Sequence, residues 1–337
     1  MNSFRVVVQE PGVVTVEGFE SPAPDPNQVV IQTRASLISP GTERAFFLAL
    51  PNTNAAYPLY PGYSTIGDVV AVGEDVDSMY IGARVASGGP HASHIVMDAS
   101  KCVHVPDELD DEIATFFNLI AIAMQGVRKT RIELGESAVV IGMGPIGLFA
   151  LQLARANGAL PVIAIDMDEN RLALAREVGA DAALLNGDSL LDEVRQLCGG
   201  DGAHVVIEAT GASSAIPLAL QLAAPRGRVS LLGSARGVTD GINFYRDVHR
   251  KGLSIIGAHE ITRPRFESLP GWWTQYDEQR VALQLLAAGR LTAQPLISHR
   301  FVWNEFPQAY ELLAGWDKSV LGMVIDWLHA DNQTAAD

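Results

Sequence analysis

The apolar positions along the chain fall into three successive rhythms. From Phe4 to about Pro106 they come in short β-rich runs, RVVVQEPG, QVVIQTRAS, IGDVVAVG, ARVASGG and HIVMDASKCVHVP, each closed by Gly, Pro or polar residues. Runs of that length, rich in Val and Ile and punctuated by turn formers, predict an all-β barrel or sandwich. A long apolar helix is predicted next, from about Glu112 to Gly126. From Glu136 strands and helices alternate, the strands being SAVVIG, LPVIAID, DAALLN, HVVIEAT, RVSLLG and LSIIGA. Their apolar centres suit strands covered on both faces, so this stretch predicts a parallel, doubly wound α/β sheet. After Ala258 the rhythm changes again, to a Pro- and Trp-bearing loop (Arg263 to Tyr276), a helix through Gly289, a strand at LISHRFVW, a helix through Leu313 and a closing strand VLGMVIDW. This tail is expected to rejoin the β-rich domain, and the final DNQTAAD to fray.

With 337 residues, 48% of them hydrophobic and 19% charged, the chain has material for two cores, so two domains are expected. The formal net charge of -15 argues against nucleic acid and anionic membranes, whose recognition needs clustered Lys and Arg. Only Cys102 and Cys198 are present, which excludes a disulfide framework and a cysteine-rich metal knot. The N-terminus reads as a strand and not as an export signal. The most membrane-like run, Ala138 to Ala154, is interrupted by Gly142, Gly144, Pro145 and Gly147. A cytoplasmic protein that acts on a small molecule is therefore expected.

The strongest motif is GMGPIG, Gly142-Met143-Gly144-Pro145-Ile146-Gly147, set between the strand SAVVI and the helix LFALQLARANG. One glycine makes the tight turn, the next lets the backbone approach a pyrophosphate, and the third allows close helix packing, while the helix N-terminus faces the phosphates. Asp166, about 20 residues past the motif at the end of the next strand, is placed to accept hydrogen bonds from the adenosine ribose. A 2′-phosphate there would meet like charge, to which Asp168 adds, so NAD is expected over NADP.

The order of segments resembles the medium-chain dehydrogenase/reductase superfamily, that of zinc alcohol and polyol dehydrogenases. The likeness is carried by PGYSTIGDVVAVG, GMGPIG, DENRLALAREVGAD, VVIEATGA, GRVSLLG and KSVLGMVI. It implies a GroES-like catalytic domain over 1–125, completed by 265–337, and a Rossmann dinucleotide-binding domain over 126–264, with the nicotinamide in the cleft between them. It also implies that Arg171, Thr210, Gly211, Gly233 and Ser234 line the cofactor. Zinc-dependent members usually carry a Cys, then a Gly-His-Glu, then a Cys or Glu; the corresponding positions here read Ser39 in ISPGTE, Gly62-Tyr63-Ser64 in PGYSTIG, and Asn118 in FFNLIA. No metal is therefore expected, since tetrahedral zinc needs thiolate, imidazole or carboxylate donors. ISPGTE together with the lost ligands most resembles the subgroup containing bacteriochlorophyllide a dehydrogenase, a likeness that does not name a substrate.

Hydride transfer from an alcohol needs a group to take the hydroxyl proton and a setting that stabilises the developing alkoxide. Tyr63, in place of the family's histidine, is expected to act as acid/base, with Glu43 or a histidine relaying the proton and Asn118 as a neutral hydrogen-bonding group. His91 and His259 are the histidines considered, and Thr42, Trp272 and Trp273 the candidates for substrate contact. Each has a plainer reading: Tyr63 as a partly buried strand-edge tyrosine, Glu43 as a helix-start carboxylate, His91 and its neighbour His94 as hairpin residues, the tryptophans as loop anchors. The leading expectation is an NAD-dependent, zinc-independent dehydrogenase of a polyol, sugar or cyclic secondary alcohol. A zinc-free quinone or enone reductase and a non-catalytic NAD-binding protein stand beside it. A homodimer or homotetramer is expected through sheet edges around RVSLLG and LISHRFVW.

Overall fold

The computed structural model describes residues 2–21, 23–315 and 317–328; the DNQTAAD tail lies outside the described residues. The chain opens with β1 (Asn2–Glu10), β2 (Val13–Glu20), β3 (Gln28–Ile38), α1 (Pro40–Phe47), β4 (Thr65–Val72), β5 (Arg84–Ser87), β6 (His94–Asp98) and β7 (Val103–His104). Next come α2 (Asp111–Ala114), α3 (Phe117–Thr130), β8 (Ala138–Ile141), α4 (Pro145–Ala156), β9 (Val162–Asp166), α5 (Glu169–Glu177), β10 (Ala182–Leu185) and α6 (Leu190–Leu197). The remainder is β11 (Ala203–Glu208), α7 (Ala215–Leu222), β12 (Ala223–Leu231), β13 (Ser254–Gly257), α8 (Gln275–Ala287), β14 (Ile297–Val302), α9 (Phe306–Ala314) and β15 (Gly322–Asp326).

Contacts divide the chain into two compact units, Met1–Asn118 with Gln279–Gly289 and Ala293–Asp337, and Leu119–Glu278 with Arg290–Thr292. The division therefore falls at Asn118 and Glu278, where the sequence reading set it at 125 and 264. In the first unit a sheet of order β14-β15-β3-β4-β5-β7 also pairs β6 with β3, and β1 and β2 form a separate ladder. β3 holds the sheet together: β15 pairs with one end of it, Val324 opposite Leu37, and β4 with its length, Ser36 opposite Thr65. The C-terminal segment thus supplies most of a core in which Val6, Ile38 and Phe47 pack with Phe306, Tyr310, Met323 and Trp327. Burying each such side chain stabilises the unit by roughly 1.5–3 kcal/mol.

The second unit is a six-stranded parallel sheet of order β10-β9-β8-β11-β12-β13. The strand order reverses between β8 and β11, and ligands of such sheets bind beyond the strand ends at that point. All four residues of β8 are buried, as a central strand covered on both faces requires. Asp168 caps α5 by accepting from the N–H groups of Asn170 and Arg171. At the far end of the sheet Lys251 Nζ donates to the carbonyls of Leu220, Gln221 and Ala223, closing the end of α7.

The structure departs from the sequence reading in four places. The predicted helix over 112–126 is two helices, because Asp110 starts α2 and α3 begins only at Phe117. HIVMDASKCVHVP splits into β6 and β7 around a turn at Ala99–Lys101. β2 went unpredicted; its sequence VVTVEGFE alternates without a buried face. RVSLLG is not a sheet edge: β13 pairs with β12 from Arg228 to Leu231, so β10 and β13 are the outer strands.

Candidate active site

The C-terminal edge of the six-stranded sheet carries a backbone cradle. Gly142 has φ +93, and a Cβ there would stand 2.6 Å from Thr210 Cγ2. A Cβ on Gly147 would stand 1.7 Å from the Gly142 carbonyl oxygen, so only glycine lets α4 start against the turn. Gly144, the N-cap residue, is different: a Cβ there meets nothing within 4 Å, and the backbone is open on that side. Pro145 opens α4, with Ile146 after it half-buried, while Met143 is fully buried. Asp166 ends β9, and its Oδ2 accepts from Met143 N–H at 2.6 Å while Oδ1 accepts from Met167 and Asp168 N–H at 2.7 and 3.0 Å. Three amides thus fix this carboxylate beside the glycine turn. Such a cradle, with a helix N-terminus behind an open glycine and a carboxylate alongside, fits a dinucleotide.

The loops after β11 and β12 flank the cradle. Gly211 has φ +69 and would clash through a Cβ with Ser234 O at 2.7 Å; a Cβ on Gly233 would stand 2.3 Å from Gly211 N. Thr210 N–H donates to Glu208 Oε1 at 2.7 Å, and burial raises the Glu208 pKa against those hydrogen bonds. Arg171 lies in the first turn of α5, its N–H 3.3 Å from Asp168 Oδ1. The cofactor residues named from the sequence therefore gather at one edge of one sheet.

In the first unit, Ser39 follows β3 and takes the N-cap position of α1, yet its hydroxyl makes no capping bond. Glu43 Oε1 instead accepts from Ser39 N–H at 2.8 Å. Glu43 Oε2 accepts from Tyr310 Oη–H at 2.6 Å and lies 3.0 Å from His91 Nε2. His91 Nδ1 lies 2.8 Å from Ser36 Oγ, to which Trp327 Nε1–H donates at 2.9 Å. All five side chains are buried. A carboxylate only accepts, so His91 carries a proton on Nε2, toward Glu43, while Ser36 Oγ accepts from the Trp327 indole. Burial, and then the Glu43 charge, hold the Tyr310 pKa well above its ordinary value. His91 packs over Gly62, where a Cβ would fall 2.6 Å from its backbone nitrogen.

A second brace holds the neighbouring strand. Asn118 Nδ2 donates to the Tyr63 carbonyl at 2.9 Å, and Asn118 Oδ1 accepts from Gln279 Nε2–H at 3.0 Å. Ser64 Oγ donates to the Thr115 carbonyl. Tyr63 itself is half-buried, as is Thr42 on α1. Glu43 and His91 are thus joined, and Asn118 is joined to the Tyr63 backbone.

The other candidates lie in the second unit. His259 is exposed and ends no strand; it caps a short turn at Glu260–Thr262, with Ile261 N–H 3.2 Å from its Nδ1. Trp273 stacks on the Arg128 guanidinium at 3.7 Å and Trp272 faces Lys129 Nζ at 4.4 Å, so the loop is pinned to α3 by cation–π contacts. Behind it Glu278 pairs with Arg263 at 3.0 Å, and burial pushes its carboxyl up to about 7 against the pull of Arg263 and Arg128. Sequence reasoning missed Ser36, Tyr310, Trp327 and Gln279, which carry no local signal. It also passed over Arg236, whose place three residues after the glycine closing GRVSLLG was visible.

The family's zinc does not fit this donor set. Ser39, Tyr63, Ser64 and Asn118 offer no thiolate, imidazole or carboxylate, and Glu43 and His91 are engaged with each other and with Ser36, Ser39 and Tyr310. Among the described residues no three His, Cys, Asp or Glu side chains are grouped to hold a metal.

Comparison with known proteins follows both units. Residues 25–107 match the family model for an alcohol dehydrogenase GroES-like domain, and residues 145–274 that for a zinc-binding dehydrogenase. A D-guloside 3-dehydrogenase from Shigella flexneri is 28% identical over 332 residues, covering 91% of this chain and 94% of that protein. An L-threonine 3-dehydrogenase from Francisella tularensis subsp. novicida is 26% identical over 368 residues, covering 97% and 99%. The crystal structure of galactitol-1-phosphate dehydrogenase from Escherichia coli superposes with a TM-score of 0.82 at 23% identity, covering 96% of this chain and 99% of that one.

Proposed function

The chain belongs to the medium-chain dehydrogenase/reductase superfamily and is an oxidoreductase of CH–OH groups, and from that premise we propose that it interconverts a secondary alcohol and its ketone with NAD and without zinc. The observation that carries the cofactor half is Asp166 at the end of β9, held by three amides against the GMGPIG turn. Its Oδ2 retains a lone pair for a ribose hydroxyl, and its charge opposes a 2′-phosphate. The names of the relatives, dehydrogenases of a guloside, of threonine and of galactitol 1-phosphate, support a polyol, sugar or related hydroxyl compound as substrate.

NAD, when bound, supplies the acceptor for the hydride that leaves the carbinol carbon. The rest falls to side chains. Tyr63 takes the hydroxyl proton of the alcohol as its own phenolic proton passes to water, so charge and atoms balance. Glu43 and His91, buried behind Ser39 and Gly62, fix the strand ends that carry these groups, and Asn118 with Gln279 fixes the Tyr63 backbone. Precise placement of such groups lowers the barrier because little reorganisation is left for the reaction itself.

The test is steady-state oxidation of a polyol and sugar panel with NAD and with NADP, before and after chelation, with metal content measured on the same sample. Turnover preferring NAD and unchanged by chelation is expected. Activity lost on chelation and restored by zinc would overturn the metal-free half; enone reduction without alcohol oxidation would overturn the reaction.

A further inference from the structure

The arginines Arg131, Arg176, Arg226, Arg250, Arg265 and Arg290 take part in no ion pair among the described residues but are exposed to water, so a half-buried arginine without a carboxylate partner stands apart in this chain. Asp and Glu outnumber Lys and Arg 39 to 24, and Arg34, Arg84, Arg228, Arg246 and Arg300 each pair with an acidic side chain. Arg236 does not: among the described residues its half-buried guanidinium takes part in no ion pair, and burial, with no carboxylate opposing it, lowers its pKa. Removing a cation from water without compensation costs free energy, so a desolvated, unpaired guanidinium is a group prepared for an anion.

Its position says which anion. Arg236 follows Gly233 and Ser234 at the C-terminal end of β12, the edge where the glycine cradle lies, and its N–H donates to Gly211 O at 3.1 Å. Gly211 in turn lies against Ser234, so the two loops brace each other and the base of the side chain is fixed. In the order β9-β8-β11-β12, β12 is three strands from Asp166, about 14 Å at ~4.8 Å per strand. That is too far for a phosphate on the adenosine ribose, which Asp166 adjoins. The glycine turn after β8 is two strands away, so the β12 loop lies past the diphosphate, on the side where the nicotinamide end of a dinucleotide and the reacting substrate belong.

We propose that Arg236 recognises an anionic group, a carboxylate or phosphate, carried by the substrate alcohol. This rests on the dehydrogenase reading above and narrows it to hydroxy acids, sugar acids or sugar phosphates. A guanidinium pairs with either group through two parallel N–H bonds, a geometry lysine does not reproduce. The local cation also offsets the field of a chain with net charge -15, which otherwise repels such substrates.

The experiment is a set of binding titrations of the NADH-loaded protein with two matched pairs, D-gluconate against glucitol and glycerol 3-phosphate against glycerol, in wild type, Arg236→Ala and Arg236→Lys. Wild type is expected to prefer at least one anionic member. Arg236→Ala should weaken that member roughly 10- to 150-fold more than its neutral partner, the span of charge-assisted hydrogen bonds, with Arg236→Lys between. No anion preference in wild type, or equal losses within the pair, would overturn the proposal. So would a matching loss of NADH affinity, which places the guanidinium on the cofactor diphosphate. Because the readout is binding, Arg236-dependent anion preference without any alcohol oxidation would sink the dehydrogenase reading alone, and oxidation without that preference would sink this one alone.

Discussion

Replacing Glu43 with Gln tests whether the buried chain from Trp327 to Tyr310 holds the first unit together. The carboxylate accepts from Ser39 N–H and Tyr310 Oη–H at 2.8 and 2.6 Å and faces His91 Nε2 at 3.0 Å. The amide keeps one acceptor oxygen and turns an NH2 toward a group that is itself a donor, so at least one buried donor loses its acceptor. Losing a buried hydrogen bond to a charged group and leaving its donor unsatisfied costs roughly 1.5–3 kcal/mol. At ~2–4 °C per kcal/mol, the melting transition of a unit of this size should fall by about 3–12 °C. The assay is differential scanning calorimetry of wild type and Glu43→Gln, with NADH binding followed separately as a measure of the second unit. The expected result is a lowered transition with NADH affinity unchanged in the remaining folded protein. A transition within 2 °C of wild type would refute the reasoning, because it would mean that the carboxylate's three partners contribute nothing net. If stability held while turnover fell by orders of magnitude, Glu43 would be a proton-handling group and not a brace.

Two further outcomes follow from the second unit. Gly147→Ala, whose Cβ would stand 1.7 Å from the Gly142 carbonyl, should displace the start of α4 and weaken NADH binding at least tenfold by calorimetry, whereas unaltered affinity would contradict the cradle. Glu278, pushed up to about 7 from an ordinary 4.5, binds its proton more tightly in the folded state, so its stabilising contribution is full below pH 4.5 and is lost as pH rises through about 7. On the order of 3 kcal/mol is at stake, and Glu278→Gln should flatten that part of the stability profile in chemical denaturation between pH 5 and 8; an identical slope in the variant would contradict it.

The parts of the site that were legible in the sequence are those made locally. GMGPIG needs glycine because each missing Cβ answers a contact within the same turn or the strand beside it, and Asp166 lies at the end of the next strand, so spacing along the chain carries the geometry. The alternating strands and helices were legible for the same reason, each written in its own period. The buried chain was not, since Trp327 reaches Ser36 across 291 residues and Tyr310 reaches Glu43 across 267. Glu43 and His91 stood out as polar residues of chemical interest, but only their partners reveal that they face each other. The paired tryptophans left two readings open because an aromatic pair that stacks on Arg128 and Lys129 reads in sequence like one that stacks on a ligand. RVSLLG looked like an edge because nothing in its own residues tells that the short β13, 23 positions beyond Leu231, closes over it.

The measurement that bears most directly on the account is calorimetric titration of one sample with NADH and then NADPH. Asp166 beside the glycine turn predicts saturable, one-to-one NADH binding at least tenfold tighter than that of NADPH. Equal or tighter NADPH binding, or no binding of either, would contradict it.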